Sequence, residues 1–233
     1  MKFFVLKILM FFDIFHKRKI LKVLKNLLKK DNNIIFDVGG HHGESIFFFS
    51  ENFDISKIYT FEPIEDNFLK LKKNTKNIEK KVVYFNSALG NIKEKRTIKK
   101  MIETSSSTFN EINEESKYYK KKGFFLGVSK NKKMYVEKIV FIEKGMDIIK
   151  KFNIDKIDLL KIDTEGFELN VIKGFERSIK KVDLVIFEHH YDLMIKKTYT
   201  YSDINRYLIN SGFHLKYKFK MPFRKTFEYI YSR

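Results

Sequence analysis

Carboxylate and imidazole side chains follow several short apolar segments of this 233-residue chain. Asp37, Glu62, Asp163 and Glu188 stand at the ends of such segments, and His189 follows the last of them. Open α/β sheets bind small molecules outside the carboxyl ends of their strands. The pattern therefore predicts one ligand site with an acidic wall at that edge of a sheet.

The first of these segments runs into a glycine-rich turn, DVGGHHG at 37–43. Gly39 and Gly43 are four residues apart, so the spacing differs from the G-x-G-x-x-G of dinucleotide-binding folds. Glycine in such a turn lets the backbone approach a ligand closely. Glu62 lies 19 residues after Gly43, close to the position, roughly 20 residues on, where an acid binds a ribose. The alternative for Glu62 is a helix-start acid in front of Pro63, stabilised by the helix dipole.

The acids around the turn bear on which nucleoside cofactor could bind. A pyrophosphate would be repelled by Asp37, whereas S-adenosylmethionine carries a sulfonium and an ammonium and no phosphate. Nearby carboxylates stabilise such cations. The turn therefore favours S-adenosylmethionine over NAD.

Asp163 and Glu165 follow the predicted strand 157–162 and are the predicted catalytic residues. A methyl acceptor such as a sugar hydroxyl is weakly acidic, so a general base or a metal ion assists its attack. The alternative for Glu165 is an acid at the start of a helix.

A metal site is a second reading of the same strand ends. Asp163, Glu188 and His189 offer carboxylate and imidazole ligands that suit Mg or Mn. No compact ligand spacing supports such a site, so we favour chemistry without a metal.

The elements that must position these groups alternate along the chain. Alternation of strands and helices predicts right-handed βαβ units, hence an α/β fold with a mostly parallel sheet and helices on both faces. The segment 91–135 is polar, is predicted to be irregular, and reads as an insertion or substrate lid. The predicted strands are 33–38, 57–61, 82–85, 136–142, 157–162, 182–187, 213–219 and 227–231, and the predicted helices are 43–52, 65–74, 146–152, 165–179 and 201–211.

Residues 1–32 are predicted to form an N-terminal amphipathic helical segment in front of a domain at 33–233. The apolar stretch 3–15 is shorter than the roughly 20 residues needed to span a bilayer, and no Gly, Ala, Ser or Thr precedes Gly39 to offer a signal-peptide cleavage site. Residues 1–30 either dock on the domain or lie in a membrane interface. We expect a cytoplasmic protein, with peripheral contact at the inner face of the membrane as the second alternative.

Four runs carry a family resemblance: IIFDVGGHHGES, YTFEP, IDLLKIDTEGFELNVIKGFE and VIFEHH. Together they resemble the FkbM-type methyltransferases over residues 33–190. The resemblance implies a class I S-adenosylmethionine-dependent methyltransferase with a Rossmann-like seven-stranded sheet whose last strand is antiparallel. It further implies O-methylation of a sugar, a glycan or a related metabolite, with a small-molecule or glycan acceptor.

The resemblance also implies roles for cofactor-binding residues. Asp37, Gly39 and Gly43 would hold the methionine part, and Glu62 would bind the ribose hydroxyls. The adenine would lie near a run of three residues, Asn86, Ser87 and Ala88. This chain has Gly40-His41-His42 where the family turn often has Ala-Asn.

Charge suggests the alternative function. Lys and Arg number 47 against 29 acids, a net charge of +18. That excess could attract RNA, as in an RNA-binding protein or RNA methyltransferase, or could reflect a compositional bias towards Lys. We find no recognisable RNA-binding module, and most of the excess lies in residues 1–33 and 92–138, outside the predicted sheet core. No specific nucleic-acid partner is therefore expected.

Overall fold

The computed structural model describes residues 2–28, 31–103, 106–129 and 132–233, with side chains from residue 14 onward. The strands, in chain order, are β1 (Asn33–Val38), β2 (Ile55–Phe61), β3 (Val82–Phe85), β4 (Ala88–Leu89), β5 (Glu94–Met101), β6 (Glu111–Ile112), β7 (Tyr135–Glu143), β8 (Ile157–Ile162), β9 (Val182–His190), β10 (Ile195–Lys196), β11 (His214–Lys220) and β12 (Thr226–Ser232). The α-helices are α1 (Lys2–Leu27), α2 (Glu44–Asn52), α3 (Glu65–Asn74), α4 (Lys117–Leu126), α5 (Gly145–Lys151), α6 (Glu168–Lys173) and α7 (Tyr201–Asn210), and short 3₁₀ helices span Lys76–Lys81 and Glu176–Lys181.

Seven strands form the main sheet in the order β11-β12-β9-β8-β1-β2-β3. The pairs from β9 through β3 are parallel, and β12 runs antiparallel to both of its neighbours. The last strand, β12, therefore lies between β9 and β11 and runs opposite to both. This confirms the predicted Rossmann-like α/β class, including its antiparallel last strand and N-terminal helix.

Both faces of the sheet are covered, because successive strand residues point to opposite sides. Phe36 and Leu160 face a core layer that is closed by α5, α6 and α7. Ile35 and Leu159 face a second layer that is closed by α1, α2 and α3. Strands that are buried on both faces read as continuous apolar runs, which explains why the sequence locates them well.

The second half of α1 is part of the second layer. Ile20, Val23, Leu24 and Leu28 are buried there, at the i, i+3, i+4 and i+8 spacing of one helix face. His16, nearer the start of the helix, is also buried and contacts the Glu228 carboxylate of β12. These contacts dock α1 on the sheet. Expected membrane contacts of the side chains of residues 1–13 fall outside the described residues.

Among the helices that the structure describes, none combines the length and the apolar character needed to cross a membrane.

The insertion 91–135 is more ordered than its polar sequence predicts. β5 pairs antiparallel with β7 from Glu94 to Met101, and residues 117–126 form α4. The prediction of an irregular segment is wrong there, because pairing with a distant strand supplies order that local hydropathy does not signal. The predicted helix 165–179 is also wrong in extent: Glu165 and Gly166 both have positive φ, so α6 begins only at Glu168.

Docking of α1 predicts that its buried face stabilises the domain. Leu24 is fully buried, so Leu24→Ala should lower the free energy of unfolding by about 2–5 kcal/mol, the usual cost of a core Leu truncation. Ile14 on the same helix is 51% exposed, and Ile14→Ala should change stability by less than about 0.5 kcal/mol. Urea unfolding followed by circular dichroism measures both, and equal small losses would contradict docking.

Candidate active site

A cavity opens at the carboxyl ends of β1, β2 and β8, at the edge where the sequence predicts a ligand. Its volume is about 590 Å³, including space open to solvent. Predicted site residues that line it are Gly39, Glu62, Ala88, Asp163 and Glu165. Apolar side chains form much of the remaining wall: Val38, Phe61, Pro63, Ile64, Leu89, Ile98, Phe109 and Phe167. Apolar walls with a few convergent polar groups are typical of small-molecule sites.

Gly39 brings the turn after β1 against the end of β8. Its φ is +87°, and a Cβ at this position would lie 2.0 Å from the carbonyl oxygen of Asp163. Its N–H donates to the carbonyl of Phe61, and its own carbonyl accepts from Lys161 Nζ at 3.2 Å. Only glycine fits this position, so the turn is fixed where it borders the cavity.

Asp37 lies behind the cavity wall and is fully buried. Lys161 Nζ is 3.1 Å from Asp37 Oδ1 and 3.8 Å from Asp163 Oδ2. Ser45 and Thr60 donate their hydroxyls to Asp37 Oδ2 at 2.7 and 3.3 Å. Burial by itself would lower the pKa of Lys161, but the two carboxylates outweigh it and raise that pKa above its usual range. Lys161 on β8 therefore also joins this strand to β1.

Glu62 is buried at the end of β2 and faces the cavity. Its Oε2 accepts the N–H of His41 at 3.0 Å, and its Oε1 accepts the N–H of Ile64 at 3.0 Å and Asn67 Nδ2 at 3.4 Å. Burial raises the pKa of Glu62 to about 7, although these hydrogen bonds oppose the shift. The carboxyl group is thus held in one orientation and changes charge near neutral pH.

The three predicted adenine neighbours separate in space. Ala88 lines the cavity beside Glu62. Asn86 instead donates to the carbonyl of Glu62 at 3.0 Å, and Ser87 donates to Glu143 Oε2 at 2.6 Å. Asn86 and Ser87 border a neighbouring open cleft. The hydrogen bond from Asn86 therefore holds the backbone of Glu62 from the side of that cleft. Gly43, a further predicted cofactor residue, has φ +97° and precedes the first turn of α2.

Glu165 also lines the cavity, and its carboxylate lies beside a histidine. His190 Nε2 is 3.2 Å from Glu165 Oε2 and 3.9 Å from Glu188 Oε2, and its Nδ1 is 3.0 Å from Thr226 Oγ1. Burial raises the pKa of Glu165 to about 7, partly offset by His190. Burial and then the charge of Asp163 raise the pKa of Glu188 well above its usual value. Asp192 Oδ2 lies 3.8 Å from His190 Nδ1, so the carboxylates of Glu165, Glu188 and Asp192 surround one imidazole.

Glu168 fixes the turn that presents Glu165. Its Oε1 accepts the hydroxyl of Thr164 and the N–H of Gly166, at 3.1 and 2.8 Å. Its Oε2 accepts the hydroxyl of Tyr199 at 2.5 Å. Glu168 is therefore a positioning residue.

The suggested metal ligands do not assemble as one set. Glu188 and His189 are neighbours on β9, so their side chains leave the strand on opposite sides. His189 is buried with its Nε2 3.3 Å from Lys197 Nζ. Burial and the charge of Lys197 lower the pKa of His189 to about 3. His190, the next residue along β9, is the histidine whose Nε2 lies 3.9 Å from Glu188 and 3.2 Å from Glu165.

His41, His42 and Glu44 form the one group of potential metal donors within 4.8 Å of each other among the residues described. The two imidazole rings stack with centroids 3.7 Å apart. Glu44 accepts the N–H of His42 at 3.1 Å and lies 3.2 Å from His41 Nδ1. Burial opposes ionisation of Glu44, but these contacts dominate and lower its pKa to about 2. The carboxylate orders the turn in front of α2.

A model of the methyltransferase FkbM domain matches residues 37–219, which is most of the chain. The chain belongs to this family. It is therefore a member of a family of S-adenosylmethionine-dependent methyltransferases, as its motifs predict. The comparison with curated proteins gives no match.

Solved structures agree on the fold. Methyltransferase FkbM from Methylobacillus flagellatus is 16% identical, with a TM-score of 0.54 over 88% of this chain, and this chain spans 45% of that protein. TrmK from M. capricolum, in complex with S-adenosylhomocysteine, is 10% identical with a TM-score of 0.51, covering 91% of this chain and 66% of that one. An rRNA methylase from Streptococcus thermophilus is 9% identical with a TM-score of 0.50, covering 91% and 93%. At these identities the likeness concerns the fold alone.

The residues of the cavity fit S-adenosylmethionine. Glu62 offers fixed carboxylate oxygens to hydroxyl groups, and the apolar wall around Ile64 and Leu89 suits a planar base. Asp163 lines the same space and would stabilise a cation.

The segment 91–135, predicted to be an insertion or substrate lid, contributes part of the cavity wall. Ile98, Ser107 and Phe109 line the cavity, and Thr108 donates its hydroxyl to the carbonyl of Glu165 at 2.7 Å. Phe109 packs on Phe167 with ring centroids 4.7 Å apart, so the insertion is joined to the turn after β8.

The Asp37–Lys161 pair predicts a stability effect. Lys161→Met leaves the buried Asp37 carboxylate without its cation, which should lower the free energy of unfolding by about 3–5 kcal/mol. Lys138→Met, at an exposed strand position, is the matched control and should change it by less than about 0.5 kcal/mol. Urea titration at pH 7 compares the two variants. A similar effect for both would rule out a large contribution of the Asp37–Lys161 pair to the free energy of unfolding.

Proposed function

We propose that the protein is an O-methyltransferase that moves a methyl group from S-adenosylmethionine to a hydroxyl of a sugar, a glycan or a related small metabolite. The observation that carries the proposal is the placement of two carboxyl groups with raised pKa values, Glu62 and Glu165, in one cavity. Glu62 is fixed by backbone N–H groups, as a ribose ligand needs to be. Glu165 is paired with His190, as a proton acceptor needs to be.

On the cofactor side, Glu62 accepts hydrogen bonds from the ribose hydroxyls, and Ala88 and Leu89 border the adenine. Gly39 lets the backbone approach the methionine part. Asp37 acts indirectly, by holding Lys161 and with it the turn. Bound S-adenosylmethionine supplies an electrophilic methyl carbon on a sulfonium sulfur.

On the acceptor side, Glu165 removes the hydroxyl proton while the acceptor oxygen bonds to the methyl carbon and the carbon–sulfur bond breaks. His190 Nε2 lies 3.2 Å from Glu165 Oε2, and its effect on Glu165 is to lower the pKa of that carboxyl group against the dominant effect of burial. Asp163 lines the same cavity and stabilises the positive charge of the methyl donor. Orientation of the reacting atoms supplies much of the rate gain, because alignment alone is worth up to about 7–11 kcal/mol in favourable systems.

Calorimetric titration of S-adenosylhomocysteine tests the cofactor role of Glu62. Hydrogen bonds to a charged group are worth about 1.5–3 kcal/mol, so Glu62→Gln should weaken binding by roughly ten- to a hundredfold. The ionised carboxylate is the better acceptor and its pKa is raised to about 7. Wild-type affinity should therefore fall as the pH drops from 8 to 6, whereas the affinity of the Gln variant should stay flat.

NAD is the ligand control for that titration and should not bind. Glu137→Gln, at an exposed strand position, is the variant control and should match wild type. Wild-type binding of NAD in place of S-adenosylhomocysteine would overturn the cofactor assignment.

Methyl transfer from labelled S-adenosylmethionine to a panel of saccharides and glycans tests the acceptor class and the base. With an accepted saccharide, Glu165→Gln should lower kcat by about 10²–10⁴-fold, the usual contribution of a general base. Affinity for S-adenosylhomocysteine should remain within about twofold, since the ribose ligand is untouched. Wild-type kcat/KM should rise with pH through about 7, where Glu165 ionises. Transfer to RNA with none to saccharides would contradict the acceptor class.

A further inference from the structure

Helix α4 ends in an exposed apolar surface. Phe124, Phe125 and Leu126 are 73%, 55% and 43% exposed, and we name these three residues the α4 tip. They are consecutive, and the helix stops directly after them at Gly127, whose φ is +71°. Single exposed apolar residues are ordinary, whereas a contiguous group marks a surface that contacts something.

The rest of α4 is held in place by contacts with the domain, so the tip is exposed in the folded protein. Ser116 accepts the N–H of Tyr119 at the start of the helix, and the buried Tyr119 accepts the N–H of Met134 at 3.0 Å. Lys122 pairs with Glu103 through side chains that are both 17% exposed. One side of the helix is thus anchored while the tip projects.

Lysines surround the tip. Lys117, Lys120 and Lys121 are exposed on the same helix. Between residues 115 and 129 the chain has four lysines and a single acid, Glu115, which pairs with Lys120. A surface of aromatic and aliphatic side chains ringed by cations is complementary to an anionic lipid bilayer, in which apolar groups insert and lysines meet headgroups.

The tip also has a defined relation to the cavity. Lys122 donates to the hydroxyl of Ser106 at 2.9 Å, and the next residue, Ser107, lines the cavity. The charge of Lys122 also acts on Glu165 and lowers its pKa, against the dominant effect of burial. Helix α4 therefore lies at the acceptor end of the site.

We propose that the α4 tip docks on an anionic lipid bilayer and turns the acceptor end of the cavity towards that surface. RNA is the competing partner for the lysines, since aromatic rings can also stack on bases. Leu126 at the very end of the helix favours lipid, because an aliphatic side chain has no stacking role. The proposed docking of the α4 tip does not depend on the identity of the methyl acceptor. The further statement that the acceptor is carried at a membrane rests on the function proposed above.

Co-sedimentation of the full-length protein with vesicles tests the proposal. The vesicles are phosphatidylcholine alone, or phosphatidylcholine and phosphatidylglycerol in equal parts. Wild type should pellet with the anionic vesicles, more weakly at high salt. The double variant Phe124→Ser/Phe125→Ser should lower the partition coefficient by about tenfold or more. Lys117→Gln and Lys121→Gln should each lower the partition coefficient by about fivefold on anionic vesicles, and neither should change it on phosphatidylcholine vesicles.

The matched control is Ile139→Ser/Phe141→Ser, which removes two apolar side chains that are 74% and 57% exposed on β7. This variant should pellet like wild type. Equal pelleting of the Phe124/Phe125 variant and wild type would overturn the proposal and assign any binding to another surface, such as α1. The proposal would also be overturned if the wild-type protein did not pellet with anionic vesicles. A Phe124/Phe125 variant that lost RNA binding but kept its vesicle binding would contradict it as well.

S-adenosylhomocysteine titration of each variant separates this test from the proposed function. Unchanged titration shows that the fold and the cofactor cavity are intact, so that a loss of pelleting belongs to the α4 tip. A wild-type protein that pellets but does not bind S-adenosylhomocysteine would sustain the membrane surface and contradict the methyltransferase assignment.

Discussion

The ammonium group of Lys161 is the contact on which the geometry of the site depends. It bridges Asp37 and Asp163 and also donates to the carbonyl of Gly39. Asp37 lies near the end of β1, and Gly39 and Asp163 directly follow β1 and β8, which are adjacent strands inside the sheet. A buried carboxylate is tolerated only when it is paired and hydrogen-bonded, and Asp37 is completely buried. The cation therefore makes the close approach of the two turns possible, and the cavity forms where they meet.

The site carries more negative charge than its own cations neutralise. Glu165 and Glu188 have raised pKa values because they are buried near each other and near Asp163. Such a site is complementary to a ligand that brings positive charge, as a sulfonium does. The same crowding gives Glu165 a pKa at which it can accept a proton near neutral pH. Cofactor complementarity and base strength thus have one physical origin.

The insertion between β4 and β7 connects the cavity at the sheet edge to the molecular surface. Its strand β5 and the residues around Phe109 close one side of the cavity, and its helix α4 carries exposed apolar and basic residues outward. Because one insertion does both, the proposed membrane-binding surface lies next to the proposed acceptor site. The proposed membrane contact and the proposed acceptor site would then act on the same molecule.

The sequence by itself determined the alternating fold and the edge of the sheet that holds the site. Segments such as 33–38 and 157–162 were predicted with the observed bounds, because strands buried on both faces must be apolar along most of their length. Glu62 and Glu165 were identifiable because a polar residue directly after such a segment has to lie at the sheet edge. Only the tertiary structure decided that Lys161 pairs with Asp37, that His190 rather than His189 faces Glu165, and that Asn86 and Ser87 turn away from the cavity. These outcomes depend on strand register and on contacts between residues far apart in the chain, which no local pattern encodes.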